Sequence, residues 1–384
     1  MENEFRWVAA HTVAQYEALK PLVKHAAGKT MRCDITMPFC ARRVRVVLCE
    51  RYGEEPMLCG RAMLGIGEKI YPLAFTGRRE VMLMPGLELK SDPVEVSVTS
   101  GETLELWLYY GGKSAPRALT ILPAGYSKEG DHCGQDFPIP RRFGDKLAAL
   151  QGARCYARLE AETDDEAACS IVAFGDSITS MGLWTGPFER RLSERGGPAL
   201  FNMGIGGNRL LLDTSIPLLK ETQIFGRAAL TRFSWDVAPL SGARAVMIEL
   251  GVNDISQPGG KKRHTPEGAQ RCTAPELILG FLELVSLCKA QNLKTVGCTI
   301  TPFGGYLTHN EATERIRNEA NDWILHGGAF DLTADFASAV CDPQKQSHML
   351  PAYDSGDHIH PSRLGGEKMA EAVDLSALLA LIGR

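Results

Sequence analysis

The chain has 384 residues, of which 44% are hydrophobic and 23% charged, and it carries a net charge of −4. That length exceeds what one hydrophobic core usually organises, so two domains are expected in an ordinary globular protein. The weak charge excludes a broad electrostatic surface, and neither a nucleic-acid nor a membrane partner is expected. The opening MENEFRWVAAHTVAQYEALK has early acidic residues and no continuous apolar run, so it does not read as a signal peptide. No stretch approaches the roughly 20 apolar residues that span a bilayer. The eleven cysteines are scattered without a C-x-x-C pair and read as reduced thiols, which points to a cytoplasmic protein. Lys261-Lys262-Arg263 reads as solvated loop.

Up to about residue 160 the pattern is that of strands. Arg43–Leu48, Pro93–Val98 and Thr103–Tyr110 alternate apolar and polar residues at period two, separated by turn clusters such as Tyr52–Pro56 and Thr99–Glu102. One face on a core and one in water is the expectation, in an antiparallel, jelly-roll-like β-sandwich spanning 1–162. An acidic stretch, Glu160 to Ala167, reads as the linker. The second domain, 168–384, changes grammar. Ile171–Phe174, Ala245–Leu250 and Thr295–Ile300 are short buried-type strands, and Pro275–Gln291 and Asn310–His326 have helical spacing, the latter closed by Gly327-Gly328. Alternating strand and helix predicts a three-layer α/β/α domain with a parallel sheet, whose ligands bind beyond the carboxyl ends of the strands.

Four segments at such positions carry chemistry. Gly175-Asp176-Ser177-Ile178-Thr179 follows the first strand and puts a serine in a turn before a helix. A serine hydroxyl is a weak nucleophile until a base takes its proton, so alone it is equally an N-cap or turn residue. Asp354-Ser355-Gly356-Asp357-His358-Ile359-His360-Pro361 supplies the partners. The Asp357/His360 spacing lets one turn place the carboxylate on one imidazole nitrogen while the other faces the serine. The glycine-rich Asn202–Asn208 and the Gly251-Val252-Asn253-Asp254 block offer backbone and amide donors for an oxyanion. No third ligand cluster supports a metal.

These four blocks resemble the signatures of the SGNH (GDSL-type) hydrolases, flavodoxin-like α/β/α enzymes, over about residues 170–384. The resemblance implies Ser177 as nucleophile, Asp357 and His360 as the rest of the triad, and no metal or organic cofactor. It implies an oxyanion hole from the Ser177 and Gly207 amides and the Asn253 side chain. Gly207 is preferred to Gly204 and Gly206 because the family's glycine sits five residues after the asparagine, here Asn202; His358 is set aside as too near Asp357. Asn202–Leu211, Arg232-Phe233 with Asp236, Thr301-Pro302-Phe303 and Tyr353–Asp357 are similar to the XynE-like branch, whose members carry an N-terminal β-rich domain. What this implies is a serine esterase removing acetyl groups from plant-polysaccharide fragments such as xylo- or manno-oligosaccharides. Asp176, Trp184 and Tyr353 are the expected substrate contacts, with Phe303–Tyr306 as a further apolar face. The alternatives are a lipase, arylesterase or thioesterase of the same fold, or a carbohydrate-binding protein without catalysis. A homo-oligomer is compatible with the sequence. A conventional α/β-hydrolase is disfavoured by the absence of a Gly-x-Ser-x-Gly elbow.

Overall fold

The computed structural model describes residues 4–19, 26–112, 115–139, 152–213, 223–258 and 272–384. The Lys261-Lys262-Arg263 group lies outside them. The chain divides into two compact units, Met1–Ala168 with Thr222–Ile224, and Cys169–Glu221 with Phe225–Arg384.

In the first unit the period-two segments form antiparallel sheets. Thr103–Tyr110 pairs with Lys29–Thr36 on one side and Met57–Ile66 on the other. Its Leu104, Leu106, Leu108 and Tyr110 are all fully buried, as alternation requires of a core-facing row. A second sheet joins Arg6–Thr12, Tyr156–Thr163 and Ala41–Cys49, and its Val8, Val44, Val46 and Leu159 share a core with Met31, Leu64 and Leu106 of the first.

The linker expectation needs correction here. Strand Tyr156–Thr163 continues through the start of the acidic stretch, and Glu160 and Glu162 are buried. Two arginines on the neighbouring strand and one on the same strand explain this. Arg45 meets Glu160 at 2.6 Å, Arg43 meets Glu162 at 2.6 Å, and Arg158 reaches Glu160 at 2.8 Å. Buried carboxylates are tolerable when paired and hydrogen-bonded in this way. Arg45 also lies 4.2 Å over the Trp7 ring. The outward face of this sheet is therefore closed by ion pairs.

The second unit is built on a parallel sheet. Its spatial order is Ala199–Gly204, Ser170–Gly175, Ala243–Glu249, Lys294–Cys298, Leu332–Ala334. Every residue of Ser170–Gly175 is buried, as expected of a central parallel strand covered on both faces. In chain order the sheet reads 2-1-3-4-5, so the chain reverses direction between its first and third strands. Helices Ala274–Ala290 and Glu311–His326 pack on each other, and helix Thr185–Ser193 packs on Arg363–Glu371, as the right-handed crossover rule, which separates them onto opposite faces, requires. The two predicted helices start at true caps. Thr273 and Glu276 form a capping box, as do Asn310 and Thr313. The second strand runs further than its glycine block suggested, with Asn202–Gly204 still paired to Ala173–Gly175.

Among the described residues no helix is long and apolar enough to cross a membrane. All eleven cysteines are free.

Candidate active site

In a sheet of this order ligands bind at the carboxyl ends of the strands that flank the reversal, here the first and third. Ser177 follows the first and Asn253 the third. Arg232, wholly buried, ties the strand ends together by donating to the carbonyls of Gly175 (2.8 Å) and Met203 (2.9 Å) while pairing with Asp236.

Ser177 opens a one-turn helix, Ser177–Ser180, capped by Asp176, whose Oδ1 accepts the Ile178 N–H at 2.9 Å. The serine side chain stays partly exposed. Its Oγ–H donates to His360 Nε2 at 2.8 Å, and His360 Nδ1–H donates to Asp357 Oδ2 at 2.6 Å. A carboxylate can only accept, so the second contact fixes the imidazole tautomer with a lone pair on Nε2. Burial pushes the Asp357 carboxyl up, but the His360 ring and the backbone N–H groups of His360 and Ile359 outweigh it and hold the group at about 2. The carboxylate is thus a permanent anion beside the imidazole, ready to stabilise an imidazolium.

Three donors were expected for an oxyanion: the N–H groups of Ser177 and Gly207 and the side-chain amide of Asn253. No described group takes the N–H of Ser177 or that of Gly207. Asn253 is fixed at both ends of its amide: Oδ1 accepts from Gln257 Nε2 (3.0 Å), and one N–H donates to Asp176 Oδ2 (3.1 Å). Its second N–H remains for an oxyanion. Gln257 Nε2 also donates to the Gly207 carbonyl at 2.7 Å, so one side chain links two of the three donors. Gly207 sits at φ +73, and a Cβ there would lie 2.6 Å from the Phe225 ring. Gly204 is less suited to the role, because Asn202 Oδ1 already accepts its N–H at 3.0 Å.

Two expected substrate contacts are corrected. Asp176 is fully buried, spent on the Ile178 N–H and the Asn253 amide, so it positions groups instead of meeting substrate. Burial, reinforced by the Asp254 carboxyl and opposed by the Ile178 N–H and the Asn253 amide, pushes it up to about 7. Trp184 is also fully buried; its ring packs on Phe188 and Phe336 and its Nε1–H donates to Thr179 Oγ1 at 3.2 Å. Phe303 is buried in the same way, whereas Tyr353 and Tyr306 are half-buried.

Sequence reading missed Gln257, four residues after Asn253 on the same helical face. It also missed Glu249, a buried carboxyl that accepts the Thr179 hydroxyl at 2.8 Å and that burial, with Asp176 next to it, raises well above the usual range. A glutamate ending a buried strand was the available signal. Among the described residues no group of three or more His, Cys, Asp or Glu could hold a metal ion.

The sequence profile described as GDSL-like Lipase/Acylhydrolase matches residues 171–373, more than half of the chain and all four blocks. The chain belongs to this family. The acylhydrolase is accordingly a carboxylic ester hydrolase, and comparison with curated proteins gives no match. Solved structures similar to it include a putative acylhydrolase from Bacteroides fragilis, at 21% identity and TM-score 0.40, covering 57% of this chain and 90% of that one. Another is the acetyl xylan esterase AlAXEase, at 18% identity and TM-score 0.39, covering 53% and 96%. A third is a mutant of Axe2, an acetyl-xylooligosaccharide esterase from Geobacillus stearmophilus, at 19% identity and TM-score 0.36, covering 56% and 94%.

Proposed function

We propose that this acylhydrolase removes short acyl groups, chiefly acetyl, from hydroxyl-rich alcohols, with acetylated xylo- or manno-oligosaccharides as substrates and Ser177 as the acylated residue. The unbroken relay Asp357–His360–Ser177, with contacts of 2.6 and 2.8 Å, carries the catalytic part of this reading. Ser177 Oγ attacks the ester carbonyl while His360 Nε2 takes its proton. The tetrahedral oxygen lies against the Ser177 and Gly207 N–H groups and the remaining Asn253 N–H. Collapse breaks the ester C–O bond, and His360 passes the proton to the leaving alcohol. Water then attacks the acyl-serine by the same route, releasing the acid and restoring Ser177.

The substrate part rests on the likeness of Asn202–Leu211 and Tyr353–Asp357 to the XynE-like branch, and on the polar groups beside the triad. Burial raises the Tyr306 phenol above its ordinary value, and the Asp357 carboxylate adds to that. One observation favours a second reading, a lipase-like preference for long acyl chains. Met181 and Leu364, each 45% exposed, lie four residues beyond Ser177 and His360, and Leu307 is 78% exposed. Rates on acetyl, butyryl and octanoyl esters separate the two, and a preference for octanoyl defeats the acetylesterase. Acetate release from acetylated oligosaccharides tests the substrate, with Ser177→Ala as control. That variant is expected to fold normally and release nothing; full activity in it would remove Ser177 from the mechanism. Oligosaccharide binding without hydrolysis by the unmodified protein would leave only a binding role.

A further inference from the structure

The loop that bears Asp357 and His360 holds a second aspartate–histidine pair, which the reaction above does not use. Asp354 accepts His358 Nδ1–H at 2.7 Å, and its other oxygen takes the backbone N–H groups of Gly356 (2.7 Å) and His358 (3.1 Å). The two side chains differ in exposure, 11% for Asp354 and 51% for His358. His358 also has φ +66, in the left-handed region that side chains with a Cβ avoid. An exposed residue is thus held in a disfavoured conformation, and a sheltered carboxylate is committed to orienting its ring. Such local strain at an exposed position points to use, because nothing in the core requires it.

The ring is placed as well as oriented. Gly305 lies against it at φ +95, and a Cβ there would come within 3.0 Å of His358 Cγ. His358 stands two residues before His360, so their Cα atoms are within about 7 Å of each other. With Nδ1 bound to Asp354, Nε2 is the ring atom left for a partner, and no described group uses it. A fixed, exposed acceptor at that distance from the base suits one class of partner, a hydroxyl group.

We propose that His358 is a specificity residue that accepts a hydroxyl hydrogen from the alcohol portion of the ester, so that the site selects polyol esters over plain alkyl esters. This rests on the reading of the substrate as the ester of a hydroxyl-rich alcohol, and gives that preference a residue. Trp184 and Phe303 are core, so neither offers an aromatic face to the alcohol.

Two acetate esters that differ by one hydroxyl, ethyl acetate and 2-hydroxyethyl acetate, provide the test. The readout is the ratio of kcat/KM for the hydroxylated ester to that for the plain one. The unmodified enzyme should favour the hydroxylated ester, and His358→Gly should lower the ratio about tenfold, mainly through KM, as loss of one hydrogen bond implies. Glycine takes φ +66 without strain, so this variant keeps the backbone; His358→Asn, also tolerant of that region, is the second variant, and thermal melts check both. An unchanged ratio overturns the proposal, and so does an equal fall on both esters, which would make His358 a support for the Asp357–His360 loop. Failure of the unmodified enzyme on acetylated oligosaccharides, with the ratio still dependent on His358, would sink the cell-wall substrate and leave this assignment standing.

Discussion

Removing Asn253 tests whether the oxyanion hole is one connected unit. Asn253→Ala deletes the side-chain donor, a loss of about 10²–10³ in kcat, or about 2.7–4 kcal/mol. Gln257→Ala leaves that donor in place but removes the amide that holds both Asn253 Oδ1 (3.0 Å) and the Gly207 carbonyl (2.7 Å). Each such bond is worth about 0.5–1.5 kcal/mol net, so kcat should fall about tenfold as the two donors lose alignment. Gln257 acts partly through Asn253, and the double variant should therefore lose much less than the product of the two single losses. Steady-state kinetics on p-nitrophenyl acetate measure this, with thermal melts confirming that each variant is folded. Losses that multiply in full would show that Gln257 does not position Asn253, and the network would have no catalytic meaning.

Asp357→Asn should lower kcat about 10⁴-fold, because an amide no longer fixes the imidazole tautomer; a loss below tenfold on p-nitrophenyl acetate would remove Asp357 from the triad. Asp357 also makes stability depend on pH. Its folded value of about 2 lies below the roughly 3.9 of an unfolded aspartate, so its contribution is present above pH of about 4 and is lost as pH falls toward 2. Half exposure of the side chain keeps that contribution small. Urea unfolding of the unmodified protein and Asp357→Asn should converge over that window, and a gap that stays constant down to pH 2 would contradict the assignment. Gly207→Ala combines φ +73 with a Cβ 2.6 Å from Phe225, and should cost about 1–3 kcal/mol and lower kcat. Gly206→Ala, where an added Cβ meets nothing within 4 Å, should change the melting temperature little; equal effects would refute the distinction between the two.

The parts of this molecule legible in its sequence are those fixed by short-range patterning. The parallel strands announce themselves as apolar runs, and the blocks at their carboxyl ends fall where a sheet of this kind exposes its loops. Asp357 and His360 could be paired on paper because a single turn joins them. Apart from the Ser177–His360 contact that the family resemblance implies, contacts across long sequence separations were not legible. Glu160 and Glu162 look like solvated linker until Arg45 and Arg43 arrive on the adjacent strand, more than a hundred residues away in sequence. Trp184 looks like a sugar platform because nothing near it in sequence shows that the distant Phe336 packs on its ring. Thr179 and Glu249 lie 70 positions apart, and only the pairing of Gly175, at the end of the strand before Thr179, with Glu249 brings the hydroxyl to the carboxyl.

The loop that delivers His360 is closed on itself. Ser362 N–H donates to the Tyr353 carbonyl at 2.7 Å, Ser355 N–H to the His360 carbonyl at 3.0 Å, and Asp354 bridges to Pro361. Acid and base therefore travel together on one self-fastened segment, while the nucleophile stands on a separate, stiff strand end. Such a segment is portable. The dyad owes its geometry to its own ten residues and not to the group it activates, so another nucleophile at position 177, a cysteine for instance, would meet a base already assembled. In a fold of this construction the chemistry of the attacking atom can drift while the proton-handling machinery stays as it is.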